Sequence, residues 1–161
     1  MIGFFSNVLL VGNAHALEKT VAQNGSRVTI NYTLTVENKV VDSSAGGKPL
    51  TYVQGSGQIV PGLEEQIKGL QQGDKRRIIV SPVKGYGQVD PEAYQNVPKT
   101  SFKNGKKLKI GQVVNGQYAG NPVRATIIGM DKKNFVLDLN HPLAGKTLQF
   151  DIEVVDIKSG R

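Results

Sequence analysis

From Arg27 to Val36 the residues Val28, Ile30, Tyr32, Leu34 and Val36 alternate with polar neighbours. A period of two puts the five on one face of a β-strand and leaves the other face wet. Glu37-Asn38-Lys39 then reads as a hairpin turn, Val40 and Val41 resume the apolar pattern, and Asp42 closes the pair. TLQFDIEVVDI near the C-terminus alternates in the same way through Leu148, Phe150, Ile152 and Val154. Between these runs the punctuation changes. Tyr52 and Val53 read as strand, and Gly55 and Gly57 break it. Pro61 is placed to open a helix, whose first residue needs no backbone donor. Leu63, Ile67 and Leu70 fall on one helical face, and Gly73 stands where a left-handed residue would end the helix. Arg77 to Val80 is a β-branched run that Pro82 terminates. The pattern predicts a β-rich α+β protein, an antiparallel sheet with one short helix laid across its apolar face.

The middle of the chain differs. Leu108–Val114, Pro122–Ile128 and Phe135–Leu139 read as three further strands, with Met130-Asp131-Lys132-Lys133-Asn134 as a hairpin tip. Residues 98–138 carry eight Lys or Arg against two acids, so nearly all of the chain's net charge of +7 lies there. A unit of this length is marginal alone and is expected to lean on its host.

The 161 residues include no Cys and no Trp. That removes disulfides, thiol catalysis and Cys-based zinc sites, and leaves the redox compartment open. Met1 to Ala16 holds no Lys, Arg, Asp or Glu and ends in Ala14-His15-Ala16, an A-x-A cleavage pattern. The stretch is short for a membrane-spanning helix, which wants about 20 apolar residues, and reads as a signal peptide over residues 1–16. An exported, periplasmic protein beginning at Leu17 follows, with a cytoplasmic protein carrying an N-terminal extension as the alternative. No positive n-region precedes the apolar stretch, and no stable membrane anchor is expected.

Several reaction classes lack their residues. Asp42, Ser43 and His141 do not make a hydrolase triad, because nothing resembles G-x-S-x-G and no oxyanion donor is identifiable. Gly55-Ser56-Gly57 lacks the lysine of a phosphate loop and the spacing of a dinucleotide fingerprint. One histidine in the mature chain, His141, without Cys or clustered carboxylates, builds no metal site. No metal and no cofactor are expected.

KPLTYVQGSGQIVPGLEEQIKGLQQGDKRRI, then Gly85-Tyr86-Gly87, then NHPLAGKTLQFDIEVVDI from Asn140 to Ile157, resembles the FKBP-type peptidyl-prolyl isomerases. More than fifty residues separate the tyrosine turn from NHPLAG, where the minimal family domain has a short loop, and this resembles the SlyD-like branch with a domain inserted in the flap. The resemblance covers roughly Arg27 to Lys158. It implies an FKBP-like isomerase body over residues 17–97 and 139–161, interrupted by a small chaperone-like domain over 98–138. It also implies an apolar pocket that binds a half-twisted X-Pro amide without covalent chemistry.

By that resemblance the catalytic groups are Tyr32 on a wall strand, Asp42 as a rim acceptor and Tyr86 as a hydroxyl donor to a substrate carbonyl. The substrate-binding walls are Val41, Leu50, Tyr52, Ile59, Val60, Leu143 and Phe150, with Leu63 as the floor. Many relatives have tryptophan at the floor, which puts tight macrolide binding in doubt here. Read without the family, most of these apolar residues are simply core. The tail KSGR carries no His or Cys, so nickel handling is not expected.

The basic insert attracts any polyanion. Its only aromatics are Phe102, Tyr118 and Phe135, all at strand or core positions, so specific nucleic-acid binding is not expected. A solvated face that aids solubility accounts for the charge equally well. The functional reading has Val113, Tyr118 and Met130 grip unfolded, proline-containing polypeptides, by strand addition to an exposed edge. The expected protein is thus a monomeric prolyl isomerase of unfolded clients. A non-catalytic holdase chaperone is the alternative.

Overall fold

The computed structural model describes residues 20–118 and 120–160, with no side-chain description for Tyr118; the leader reading over 1–16 lies outside these. Two antiparallel sheets carry the chain. The first is built from β1 (Arg27–Val36), β2 (Lys39–Ser43), β3 (Leu50–Val53), β4 (Lys75–Val80) and β9 (Leu148–Lys158), in the order β2-β1-β9-β4. Strand β3 also pairs with β1, along Arg27–Ile30, while β2 pairs with its far half, Thr33–Val36. The two strands therefore share one edge of β1 and part at Tyr32. There the Tyr32 N–H donates to Ser44 Oγ at 2.9 Å and the Tyr32 carbonyl accepts from the Ser44 N–H at 3.0 Å. The strand break leaves no orphaned backbone group at that residue.

The alternation read from β1 holds: Val28, Ile30, Leu34 and Val36 are buried in the main core, and on the neighbouring β9 Ile152 and Phe150 lie opposite Tyr32 and Leu34. The hairpin turn is formed by Glu37 and Asn38, both at positive φ (50° and 64°), and Lys39 belongs to β2 opposite Val36. Two central residues in the left-handed region match the twist of the flanking strands.

Helix α1 (Pro61–Ile67) buries Leu63 and Ile67 against the sheet. Two turns have little intrinsic stability, so packing holds this helix in place. Its close approach needs Gly62, where an added Cβ would lie 2.7 Å from Val80 Cγ1. The expected helical face extending to Leu70 and stopping at Gly73 is corrected: Lys68 has left the helix, Gly69 takes the left-handed conformation at φ 85°, and Leu70 is buried from the following turn. Gly73 serves the turn into β4, its N–H donating to the Val154 carbonyl at 2.8 Å.

The second sheet holds β5 (Tyr94–Pro98), β6 (Val113–Tyr118), β7 (Asn121–Met130) and β8 (Asn134–Asp138), in the order β5-β8-β7-β6. Two expectations change here. The sheet begins at Tyr94, on the body's side of the expected boundary after residue 97. The strand expected over Leu108–Val114 lies instead at Val113–Tyr118, because Gly105–Lys107 forms a 3-10 turn and Leu108 folds inward from the loop after it. Strands β7 and β8 and the tip between them follow the expected pattern.

Asn140 laces together the two chain segments that join the sheets. Its Oδ1 accepts from the Asp90 N–H at 2.8 Å, and its Nδ2 donates to the Asp90 carbonyl at 3.0 Å and to Asp138 Oδ1 at 2.8 Å.

Candidate functional site

A cavity of about 200 Å3 opens where α1 meets the first sheet, lined by Tyr32, Leu34, Asp42, Leu50, Gln58, Ile59, Val60, Leu63, Tyr86 and Phe150. It is below the roughly 300–1,000 Å3 of drug-sized sites and suits a single ring or side chain. Each wall comes from a different element. Strand β1 supplies Tyr32 and Leu34, β2 Asp42, β3 Leu50, β9 Phe150, and α1 the buried Leu63. Ile59 and Val60 come from the turn before the helix. Gln58 holds that turn to β3 by accepting the Val53 N–H on its Oε1 at 2.8 Å.

Polar groups stand at the rim. The Tyr32 hydroxyl donates to Asp42 Oδ2 at 2.7 Å, while Asp42 Oδ1 accepts the Ser43 N–H at 2.8 Å. The bond to Asp42 is the main reason the Tyr32 phenol is pushed up to about 12, with burial, the Asp42 charge and Tyr86 adding to it. A phenol has one proton to give, so Tyr32 is committed to Asp42 and Tyr86 is the phenol left to meet a ligand.

Tyr86 sits on a tight loop. After Pro82–Lys84 the N–H groups of Gly85 and Gly87 both donate to the Pro82 carbonyl, at 3.0 and 2.8 Å. Its ring stacks on His141, with centroids 3.9 Å apart and planes 4° from parallel. His141 Nδ1 in turn accepts the Leu143 N–H at 3.1 Å, which orients the imidazole from its own turn. Tyr86 lines the cavity and remains 39% exposed, so it stands at the mouth.

The family model for FKBP-type peptidyl-prolyl cis-trans isomerases matches residues 18–155. The chain belongs to this family. A probable FKBP-type 16 kDa peptidyl-prolyl cis-trans isomerase of Pseudomonas fluorescens is 34% identical over 143 residues, 88% of this chain and 95% of the relative. The SlyD isomerases of Escherichia coli and Haemophilus influenzae are each 36% identical, covering 81% and 80% of this chain and 67% and 68% of their own lengths. The chain is an FKBP-type isomerase of the SlyD-like branch.

Of the eleven residues that sequence assigned to the isomerase site, the cavity gathers Tyr32, Asp42, Tyr86, Leu50, Ile59, Val60, Leu63 and Phe150. Three fall outside its lining. Tyr52, expected on a wall, is 2% exposed in the core, and its hydroxyl donates to Gln54 Oε1 at 2.8 Å. Burial, then the charge of Glu64, push that phenol up. Leu50 and Tyr52 share a face of β3, but Tyr52 lies opposite Val28, one pleat deeper beneath the helix. Val41 is 49% exposed and is the residue without a partner where the β1–β2 register shifts, between Val40 opposite Thr35 and Asp42 opposite Leu34, and Leu143 packs on the edge of the main core. Leu34 and Gln58 were missed. Leu34 had a signal, since it follows Tyr32 on the same strand face; Gln58 had none.

A larger groove of about 720 Å3 crosses the wet face of the same sheet. Lys75, Arg76, Arg77, Asp151 and Glu153 line it beside Ala45, Pro49 and Ile152, and Arg77 bridges it, its Nε and Nη2 donating to the Asp151 carboxylate at 2.6 and 3.3 Å. Its charged residues outnumber those of the smaller cavity, where Asp42 is the one charged group in the lining.

In the second sheet Val113 is 47% and Met130 40% exposed. The residue facing that sheet's small core from β6 is Val114, one position on. Tyr118 pairs at its backbone with Asn121. No helix among the described residues is long and apolar enough to cross a membrane.

Proposed function

We propose that this FKBP-type isomerase acts on X-Pro bonds of unfolded or partly folded polypeptides, turning the amide in the Leu63 cavity while the inserted sheet holds the client. The carrying observation is the pairing of an apolar pit, walled by Leu34, Leu50, Leu63 and Phe150, with a single uncommitted phenol at its mouth. Rotation about an X-Pro amide must break resonance and faces a barrier of roughly 18–20 kcal/mol. Burying the ring and keeping water from the carbonyl weakens that resonance, because the charge-separated planar form is the one water stabilises. Tyr86 would donate a hydrogen bond to a substrate carbonyl. The Tyr32–Asp42 pair fixes the opposite rim and keeps the Tyr32 ring against the substrate. Each preference of about 1.36 kcal/mol for the twisted over the planar amide gives about tenfold in rate.

The insert's part is supported by its open edge strand β6 and by the exposed Val113 and Met130. Tethered capture would raise the concentration of a prolyl bond at the pocket to about the millimolar range of short linkers. Tyr118 belongs to the same edge, and the protein would act as a monomer. Export is supported by the Ala14-His15-Ala16 pattern; a mature N-terminus at Leu17 would establish cleavage of the leader, and recovery in the periplasmic fraction would establish the compartment.

A protease-free exchange assay, run on a short prolyl peptide and on a proline-limited refolding protein, tests the reading. Replacing residues 94–138 with a short loop is expected to leave peptide turnover and slow the refolding reaction. Equal losses on both substrates would refute the division of labour. Suppressed aggregation with no acceleration of either reaction would establish the holdase instead.

A further inference from the structure

The insert carries two concavities that meet at one side chain. The first, of about 190 Å3, lies on the inner face of the sheet and is walled by Val97, Phe102, Val114, Ala125, Leu137 and Leu139. The second, of about 780 Å3, adjoins it at Phe102 and is ringed by Lys99, Lys103, Lys106, Lys107, Lys132 and Lys133. No acid lines this second cleft. Its neighbour Asp131 is engaged by its own turn, accepting the N–H groups of Lys133 and Asn134 at 2.6 Å each, which with the charge of Lys99 holds its carboxyl below the usual range. Among the described residues none of the six lysines is in an ion pair. Lys99 Nζ lies 5.2 Å from the centroid of the Phe135 ring and 3.8 Å from Met130 Sδ. The ammonium groups of Lys103, Lys106, Lys107, Lys132 and Lys133 share the one cleft and repel one another, and a bound anionic segment relieves that repulsion.

The residue types narrow the occupant. The ring contains no arginine, so it lacks the planar fork that reads phosphate in a fixed geometry. Lysines on flexible stems recognise charge while tolerating varied sequence. Phe102 is the cleft's one aromatic, and it is packed edge-on against Phe135 with centroids 5.6 Å apart, so no stacking platform for bases exists. An apolar groove running into a cationic one suits a chain that alternates apolar and acidic side chains.

We propose that the groove and lysine ring together select acidic segments of unfolded polypeptide, so that the clients held by the insert are preferentially acidic. The inference rests on the client-holding role proposed above and adds its selectivity. Binding of the full chain to a labelled, proline-free acidic peptide, and to the same peptide with every Glu replaced by Gln, tests it by fluorescence anisotropy. The acidic peptide is expected to bind about tenfold tighter at low ionic strength, the ratio falling to about twofold in high salt as the charges are screened. Joint Lys103→Gln, Lys106→Gln and Lys107→Gln substitution is expected to bring the two affinities together. Equal, salt-independent binding of both peptides by the native chain would overturn the selectivity and leave the client-holding role standing. Binding of neither would overturn both. Tighter binding of an oligothymidylate or of phosphatidylserine vesicles than of the acidic peptide would assign the lysines to a nucleic acid or a lipid surface and end the proposal.

Discussion

The two sheets are made of similar strands but are covered to different depths. In the body, sixteen of the described residues form one buried cluster, because α1 closes the inner face of the sheet with Leu63 and Ile67. In the insert the buried hydrophobic cluster among the described residues is Ala125, Ile127, Phe135 and Leu137, and Val97, Phe102, Leu108, Val114 and Leu139 remain partly open. The insert's cover consists of two 3-10 turns, Lys99–Ser101 and Gly105–Lys107, too short to span its face. A sheet must bury one face against something. Where the chain supplies the cover the result is a rigid frame for a pocket; where it does not, the result is a surface.

The largest expected effects test whether the two units are energetically separate. Ile78→Ala, at a fully buried position facing Phe150, is expected to cost the body about 2–5 kcal/mol, read from the urea midpoint. Phe135→Ala is expected to remove about 3–5 kcal/mol, but locally, with hydrogen exchange rising in β5 to β8 and β1 and β9 staying protected. Equal loss of protection in β1 would make the sheets one cooperative unit and break the comparison.

The next effects concern the pocket that the rigid frame holds. Tyr86→Phe is expected to slow turnover of a short prolyl peptide about tenfold, about 1.4 kcal/mol, with the thermal midpoint little changed. Unchanged turnover would remove Tyr86 from the mechanism. The Tyr32–Asp42 bond is visible in pH. The folded protein holds the Tyr32 proton more tightly than the unfolded chain, so the bond's stabilisation is complete below pH 10.0 and is lost as pH rises toward about 12. Discounted for the ring's exposure, this is at most about 1 kcal/mol, and Tyr32→Phe is expected to flatten that part of the alkaline stability curve. The smallest expected effect is His141→Ala, which removes the ring beneath Tyr86 and is expected to lower turnover about threefold.

Sequence legibility followed the same division. Strands β1 and β9 were readable because each buries one face on a deep core, and burial enforces the period of two. In the insert β5 was unreadable: Tyr94-Gln95-Asn96-Val97-Pro98 ends in proline, is largely polar, and owes its strand to pairing with β8. Strand β6 was misplaced because Asn115, Gly116 and Gln117 give an edge strand little apolar signal, while Leu108 and Ile110 imitated one. Of the eleven residues assigned from the family motifs, eight line the cavity, since such motifs fix position along a strand. Those motifs do not fix depth, so Tyr52 was assigned to the wall and lies in the core. The Tyr86–His141 stack joins residues 55 positions apart, and no local pattern announces it.

The Asn140 bonds give the neck between the sheets a mechanical meaning. Asn140 is followed directly by His141, and the Asp90 it grips lies four residues after Tyr86. A tug on the insert that wrenches this fastening open also pulls at both partners of the ring pair. A client held by the insert, as proposed above, would load Asp90 and Asn140 and, through them, the chain segments that carry Tyr86 and His141 at the doorway of the pocket.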